Sequence, residues 1–133
     1  MISPDAEIRR FLQTVDTGGV PIYDRVPDVQ AYPYVHIQDL TCTDFTTADQ
    51  DLWNTELLLD VVTAFDGNHG GRRQADEIGN YLLSALLDAR PIDLGQHSIV
   101  SAELINSMYM DEYNGDTTVI RKLIRVGMTV EKE

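Results

Sequence analysis

Three histidines and a single cysteine are the side chains in these 133 residues best suited to metal ligation or nucleophilic attack. His36, His69 and His97 lie far apart, and no H-x-x-x-H or H-E-x-x-H spacing gives any of them a second ligand. No metal site is expected from them. Cys42 follows His36 by six positions, which in an alternating strand sets both side chains on one face. A thiolate nucleophile would further need a lowered pKa and an orienting third group, so the plain reading of Cys42 is a small buried apolar residue. Being alone, it also excludes an intrachain disulfide framework and a zinc site of several thiolates.

Asp44, Asp49, Asp51 and Glu56 suggest calcium, but Leu52, Trp53 and Asn54 after Asp51 break the D-x-[DN]-x-[DN]-G loop. A solvated acidic loop is the expectation. The glycine-rich stretch 67–71, followed by Arg72 and Arg73, opens a helix and so invites phosphate, yet it matches neither G-x-x-x-x-G-K-[ST] nor G-x-G-x-x-G. It reads as a tight strand-to-helix turn. No Ser-His-Asp order, nucleophile elbow or spaced carboxylate pair stands out among the 22 acidic residues. The sequence therefore predicts no catalytic residue, no cofactor and no enzyme.

The elements that must position these residues follow from periodicity and punctuation. Ser3 is suited to cap a helix, with Pro4 at its first position and Asp5 and Glu7 at the positive end of its dipole. Ile8, Phe11, Leu12 and Val15 then form one apolar stripe, and Gly18-Gly19 supplies the stop. Residues 20–23 and 34–41 read as strands separated by a proline-containing turn. Residues 42–54, with three Thr and three Asp, read as a long loop or hairpin tip. In residues 55–65, Leu57, Leu59, Val61 and Phe65 share one face and Leu58, Val62 and Ala64 the other, which predicts a central strand.

A second helix is expected over 72–89, where Ala75, Ile78, Gly79, Leu82, Ala85, Leu86 and Ala89 keep a helical period before Pro91. Two long strands, 98–110 and 117–130, then flank an Asn114-Gly115 hairpin signal. Val100, Ala102, Leu104, Met108 and Met110 are assigned one face of the first strand. Ile120, Ile124, Val126, Met128 and Val130 are assigned one face of the second. The order α-β-β-β-α-β-β predicts an α+β fold: a mainly antiparallel or mixed β-sheet flanked by two helices, one domain over residues 1–133.

Charge narrows the function classes. Ten Lys plus Arg against 22 Asp plus Glu give a net charge of −12, while 43% apolar residues suffice for a core. Such a balance argues against a nucleic-acid clamp, which works by neutralising phosphates with Lys and Arg. Residues 26–71 hold no Lys or Arg and eight acids, Asp28, Asp39, Asp44, Asp49, Asp51, Glu56, Asp60 and Asp66, so one side of the domain is expected to be acidic. No run approaches the roughly 18 apolar residues of a membrane helix, and the first residues lack a secretory pattern. The expectation is a soluble protein made in a cytoplasm.

Taken in order, the first helix, Ile22-Tyr23-Asp24-Arg25-Val26-Pro27, Tyr32-Pro33-Tyr34-Val35-His36-Ile37, the Thr/Asp-rich loop, the β-rich strand, the helix beginning Gly70-Gly71-Arg72-Arg73 and the two closing strands form one pattern. It resembles the tail-completion proteins of long-tailed bacteriophages, a family that includes tail terminators and head-to-tail joining proteins. The resemblance runs over residues 2–130. Its most specific part is the Pro-Tyr-Val core after the proline turn, and the chain departs from the pattern in the length and acidity of 42–54.

The resemblance implies a structural virion protein: a homo-hexameric ring at the head-proximal end of the tail tube, assembled in the host cytoplasm. Such a ring ends tube polymerisation, docks the tail to head-completion (neck) proteins and lets DNA pass without specific binding. It needs no membrane, metal or cofactor. Six copies close a ring only through two different, complementary surfaces on each protomer. Phe45 and Trp53 in the acidic segment, and Tyr109 and Tyr113 near the last turn, are the candidate contacts with neighbouring copies or the tube. The plainer alternative is that these aromatics cap the domain's own core. Asp44, Asp49 and Asp51 are candidate lumen-facing carboxylates that would repel DNA phosphates. The competing function is a small intracellular acidic module that binds a basic protein partner.

Overall fold

A computed structural model describes residues 2–27, 31–66, 72–88 and 90–133. The turn read at 67–71, with its His69, lies outside the described residues, as do Asp28 and Ala89. The chain runs α1 (Asp5–Gln13), β1 (Ile22–Tyr23), β2 (Tyr34–Asp44), β3 (Leu52–Asp66), α2 (Arg73–Leu87), β4 (Ile92–Asp93), β5 (His97–Asn114) and β6 (Thr117–Lys132). The six strands form one curled, mixed sheet in the order β1-β2-β3-β6-β5-β4. Among the described residues, β1 and β2 pair in parallel and the other ladders are antiparallel. The two strands with apolar residues on both faces, β3 and β6, occupy the centre, where both faces must be covered.

Helix α1 forms because Ile8 and Leu12, one turn apart, are both fully buried in the core. Its cap differs from the expected one. Pro4 holds the N-cap position, and Ser3, one residue too early to reach the free amides, donates its hydroxyl to the Asp5 carboxylate instead. Helix α2 buries Ala75, Ile78, Gly79, Leu82 and Leu86. Gly79 permits its closest approach to the sheet, since a Cβ there would stand 3.1 Å from Ile124 Cδ1.

The expected long loop at 42–54 is mostly strand. Cross-strand pairs Cys42↔Thr55, Thr43↔Asn54 and Asp44↔Trp53 carry the β2–β3 ladder almost to the tip, so only residues 45–51 connect the two strands. The β-branched Thr41, Thr43 and Thr55 favour this extension. The last connection is two residues, Gly115-Asp116, rather than Asn114-Gly115. Gly115 has φ +64° and no non-glycine residue has positive φ among the described residues, the combination of a type II′ turn.

Register assigns the faces. Facing α2 are Trp53, Thr55, Leu57, Leu59 and Val61 of β3, paired with Val130, Met128, Val126, Ile124 and Lys122 of β6. Residues of both helices join this set in a single apolar cluster, so α1 and α2 pack on the same face. The sheet is therefore covered by helices on one side, not flanked on two. The other face holds Glu56, Leu58, Asp60, Leu123, Arg121 and Arg125.

Irregularities in β2 and β5 change which residues share a face. A bulge between Ile37 and Asp39 puts His36 opposite Asp60 on the open face and Cys42 opposite Thr55 on the helix face. The expected His36–Cys42 pair is thereby separated by the sheet itself. Two further bulges, at Val100 and Ile105, split the set assigned to one face of β5. Ala102 and Leu104 pair with Met128 and Val126 on the helix face, whereas Met108 and Met110 pair with Leu123 and Arg121 on the open face. The even-numbered stripe of β6 stays on one face as expected.

Candidate assembly surfaces

Two hairpin tips project from opposite ends of the same sheet. The β3–β6 ladder runs from Leu52↔Glu131 to Asp66↔Thr117, about 45 Å at 3.3 Å per residue. The 45–51 tip lies at the first end and the Gly115-Asp116 turn at the second.

At the first tip, Asp44 shapes the turn. Its Oδ1 accepts the Thr46 backbone amide at 2.8 Å and the Thr46 hydroxyl at 2.5 Å. These two bonds hold its carboxyl below the usual carboxylate range. The Asp51 carbonyl accepts the Lys132 amide at 3.0 Å, tying the tip to the end of β6. Asp49 is exposed, and Phe45 is 38% exposed. Trp53 behaves differently from Phe45. It is only 8% exposed, belongs to the core cluster and leaves its Nε1 without a hydrogen-bond partner.

Towards the other tip, Tyr109 is a brace between sheet and helix. Its hydroxyl donates to Asp76, whose Oδ1 also accepts Lys122 Nζ at 2.8 Å. The Arg72 guanidinium sits 4.3 Å from the Tyr109 ring centre and contacts Asp111 at 3.5 Å. Bonds from Lys122 and then Tyr109 lower the Asp76 carboxyl, while the same Asp76 bond raises the Tyr109 phenol. Tyr113, four residues on, is 77% exposed and free of these contacts. Of the four aromatics singled out in the sequence, Phe45 and Tyr113 lie at the surface, and Trp53 and Tyr109 pack within the fold.

The acidic stretch is partly neutralised by β6. Arg125 pairs with Glu56, and Arg121 Nη1 lies 3.2 Å from Asp60 Oδ2 and its Nε 3.3 Å from Glu112. Asp60 is 2% exposed, and burial raises its carboxyl against the opposing pull of Arg121 and His36. The pairs of Arg121 with Asp60 and Arg125 with Glu56 were not legible in the sequence, because more than 60 positions separate each arginine from its carboxylate. At the other end of β5, the buried His97 Nδ1 contacts Glu7, whose second oxygen accepts the Gln96 amide at 2.6 Å, fastening α1 to the sheet. Cys42 accepts a hydrogen bond from the Thr55 hydroxyl at 3.7 Å, and burial pushes its thiol up to about 11. Among the described residues, no group of three or more His, Cys, Asp or Glu is placed to hold a metal ion, and no helix is long and apolar enough to cross a membrane.

Residues 2–129 match the family described as Tail completion protein gp17. The chain belongs to that family. It is accordingly a structural tail protein of the virion, not an enzyme. A chain in the structure titled "Virion of native gene transfer agent (GTA) particle" has the same fold. The two superpose with a TM-score of 0.58 at 16% identity, over 96% of this chain and 92% of that one. No curated protein matches this tail-completion sequence.

Proposed function

We propose that this single-domain tail-completion protein closes into a homo-hexameric ring on the head-proximal end of the phage tail tube. There it ends tube polymerisation and presents the surface that receives the head-completion proteins. The observation that carries this reading is the presence of two non-equivalent tips at opposite ends of one sheet, each with an exposed aromatic, Phe45 and Tyr113. A closed ring between tube and head needs such polarity: one end for the tube, the other for the neck. Trp53 and Tyr109 support these contacts from within, Trp53 beneath the first tip and Tyr109 by fixing β5 on α2.

Asp44, Asp49 and Asp51 line the lumen in this reading. The carboxylates of exposed Asp44 and Asp49 and of half-buried Asp51 repel phosphates, so DNA passes without being held. Tails assembled without the protein test the function. Tubes should overrun their normal length and fail to join heads, and purified protein should restore both. Tubes of normal length that join heads in its absence would refute it.

A further inference from the structure

Among the described residues, six of the ten exposed large hydrophobic residues lie on β5: Val100, Leu104, Ile105, Met108, Met110 and Tyr113. The reason is topological. β4 pairs with Ser98 and Ile99, and from Val100 onward no described strand pairs with the outer side of β5. The bulge at Ile105 adds to the patch. Ile105 lies over Gly127 on the open face, 3.3 Å from where a Cβ would stand, beside Met108 and Met110 on the same face. Met108 is 52% exposed. Ile105, Met108 and Met110 together expose an apolar strip on the open face, the kind of surface that marks an interface, and its methionines suit an aromatic partner.

The opposite sheet edge supplies that chemistry. Tyr34 stacks on Tyr32 at 5.8 Å and meets Tyr23 at 6.3 Å, around the short β1 and the start of β2. Tyr32 is largely exposed. Arg25 beside them is exposed and makes no ion pair among the described residues, and Glu103 beside the β5 strip is in the same condition. Arg25 and Glu103 are thus opposite in sign and can pair across a contact between the two edges.

We infer that the β5 strip of one copy is covered by the tyrosine edge of the next, with Ile105, Met108 and Met110 against Tyr23, Tyr32 and Tyr34, and Glu103 facing Arg25. The two surfaces lie on opposite edges of one sheet, so the contact is heterologous and passes from copy to copy until it closes. The bulges at Val100 and Ile105 interrupt the regular edge, which favours side-chain docking over simple strand addition. This contact rests on the ring reading above and names its two faces.

The test uses full-length protein carrying Cys42→Ala, Tyr32→Cys and Met108→Cys, bound to tail tubes and treated with a short bis-maleimide. Particle mass is measured in parallel. The expected result is a ladder of linked protomers reaching the full ring, with no linked species from the variant carrying Met108→Cys without Tyr32→Cys. Ring-sized particles without Tyr32–Met108 links would overturn this contact and leave the ring standing. Met108→Cys protomers linked to one another would overturn it in favour of an edge-to-edge dimer. Protomers alone on the tubes would remove the ring reading and the contact with it.

Discussion

Lys122 Nζ lies 2.8 Å from Asp76 Oδ1, and this one contact pins the central strand β6 to the first turn of α2. Lys122 is buried, so its charge depends on Asp76 for compensation. Asp76→Asn should lower stability by about 1–2 kcal/mol, the partial exposure of Asp76 weakening the pair. Because the folded carboxyl is lowered, its contribution is fully present above the unfolded pKa and is lost as pH falls through the folded one. Asp60 is shifted the other way by burial, so its contribution is present at low pH and is lost as pH rises through its raised folded value. Denaturant titrations across pH 2–7 of about ten points should show Asp76→Asn flattening the acid limb.

The Cys42 thiol should be slow to react. With its pKa near 11, only about one thiol in a thousand is ionised at pH 8. Labelling by iodoacetamide is expected to lag far behind that of the unfolded chain and to accelerate towards pH 11. Equal rates in the folded and unfolded states would contradict the burial of this thiol.

Gly115 isolates a backbone effect. A Cβ there would meet nothing within 4 Å, yet φ is +64°. Gly115→Ala should therefore cost about 1 kcal/mol through the left-handed conformation alone. Thermal or denaturant unfolding reads this directly.

Trp53 and Tyr113 should separate folding from assembly. Trp53→Ala empties core volume and is expected to cost about 3–5 kcal/mol. Tyr113→Ala should change stability by no more than about 0.5 kcal/mol and act only on assembled tails. A loss of tail yield from Tyr113→Ala with an unchanged melting curve is the expected result.

Periodicity alone located both helices, the central β3 and the buried stripe of β6, because each has a continuous apolar pattern to read. It could not place α1 and α2 on the same face, since an amphipathic stripe says that a helix packs but not on which side. The bulges at Gln38, Val100 and Ile105 carry no residue signature, and each reverses the faces of every residue beyond it. That is why His36 and Cys42 part company and why the apolar β5 strip was not legible as a surface. The ion pairs of Arg121 and Arg125 likewise depend on strand order, which residue spacing does not encode.

The measurement that bears most directly on the account is the mass of the species formed on tail tubes. Native mass spectrometry of the released complex should give a discrete particle of six times the 14.9 kDa protomer mass. A protein that stays at the single-protomer mass on tubes, at every concentration tried, would contradict it.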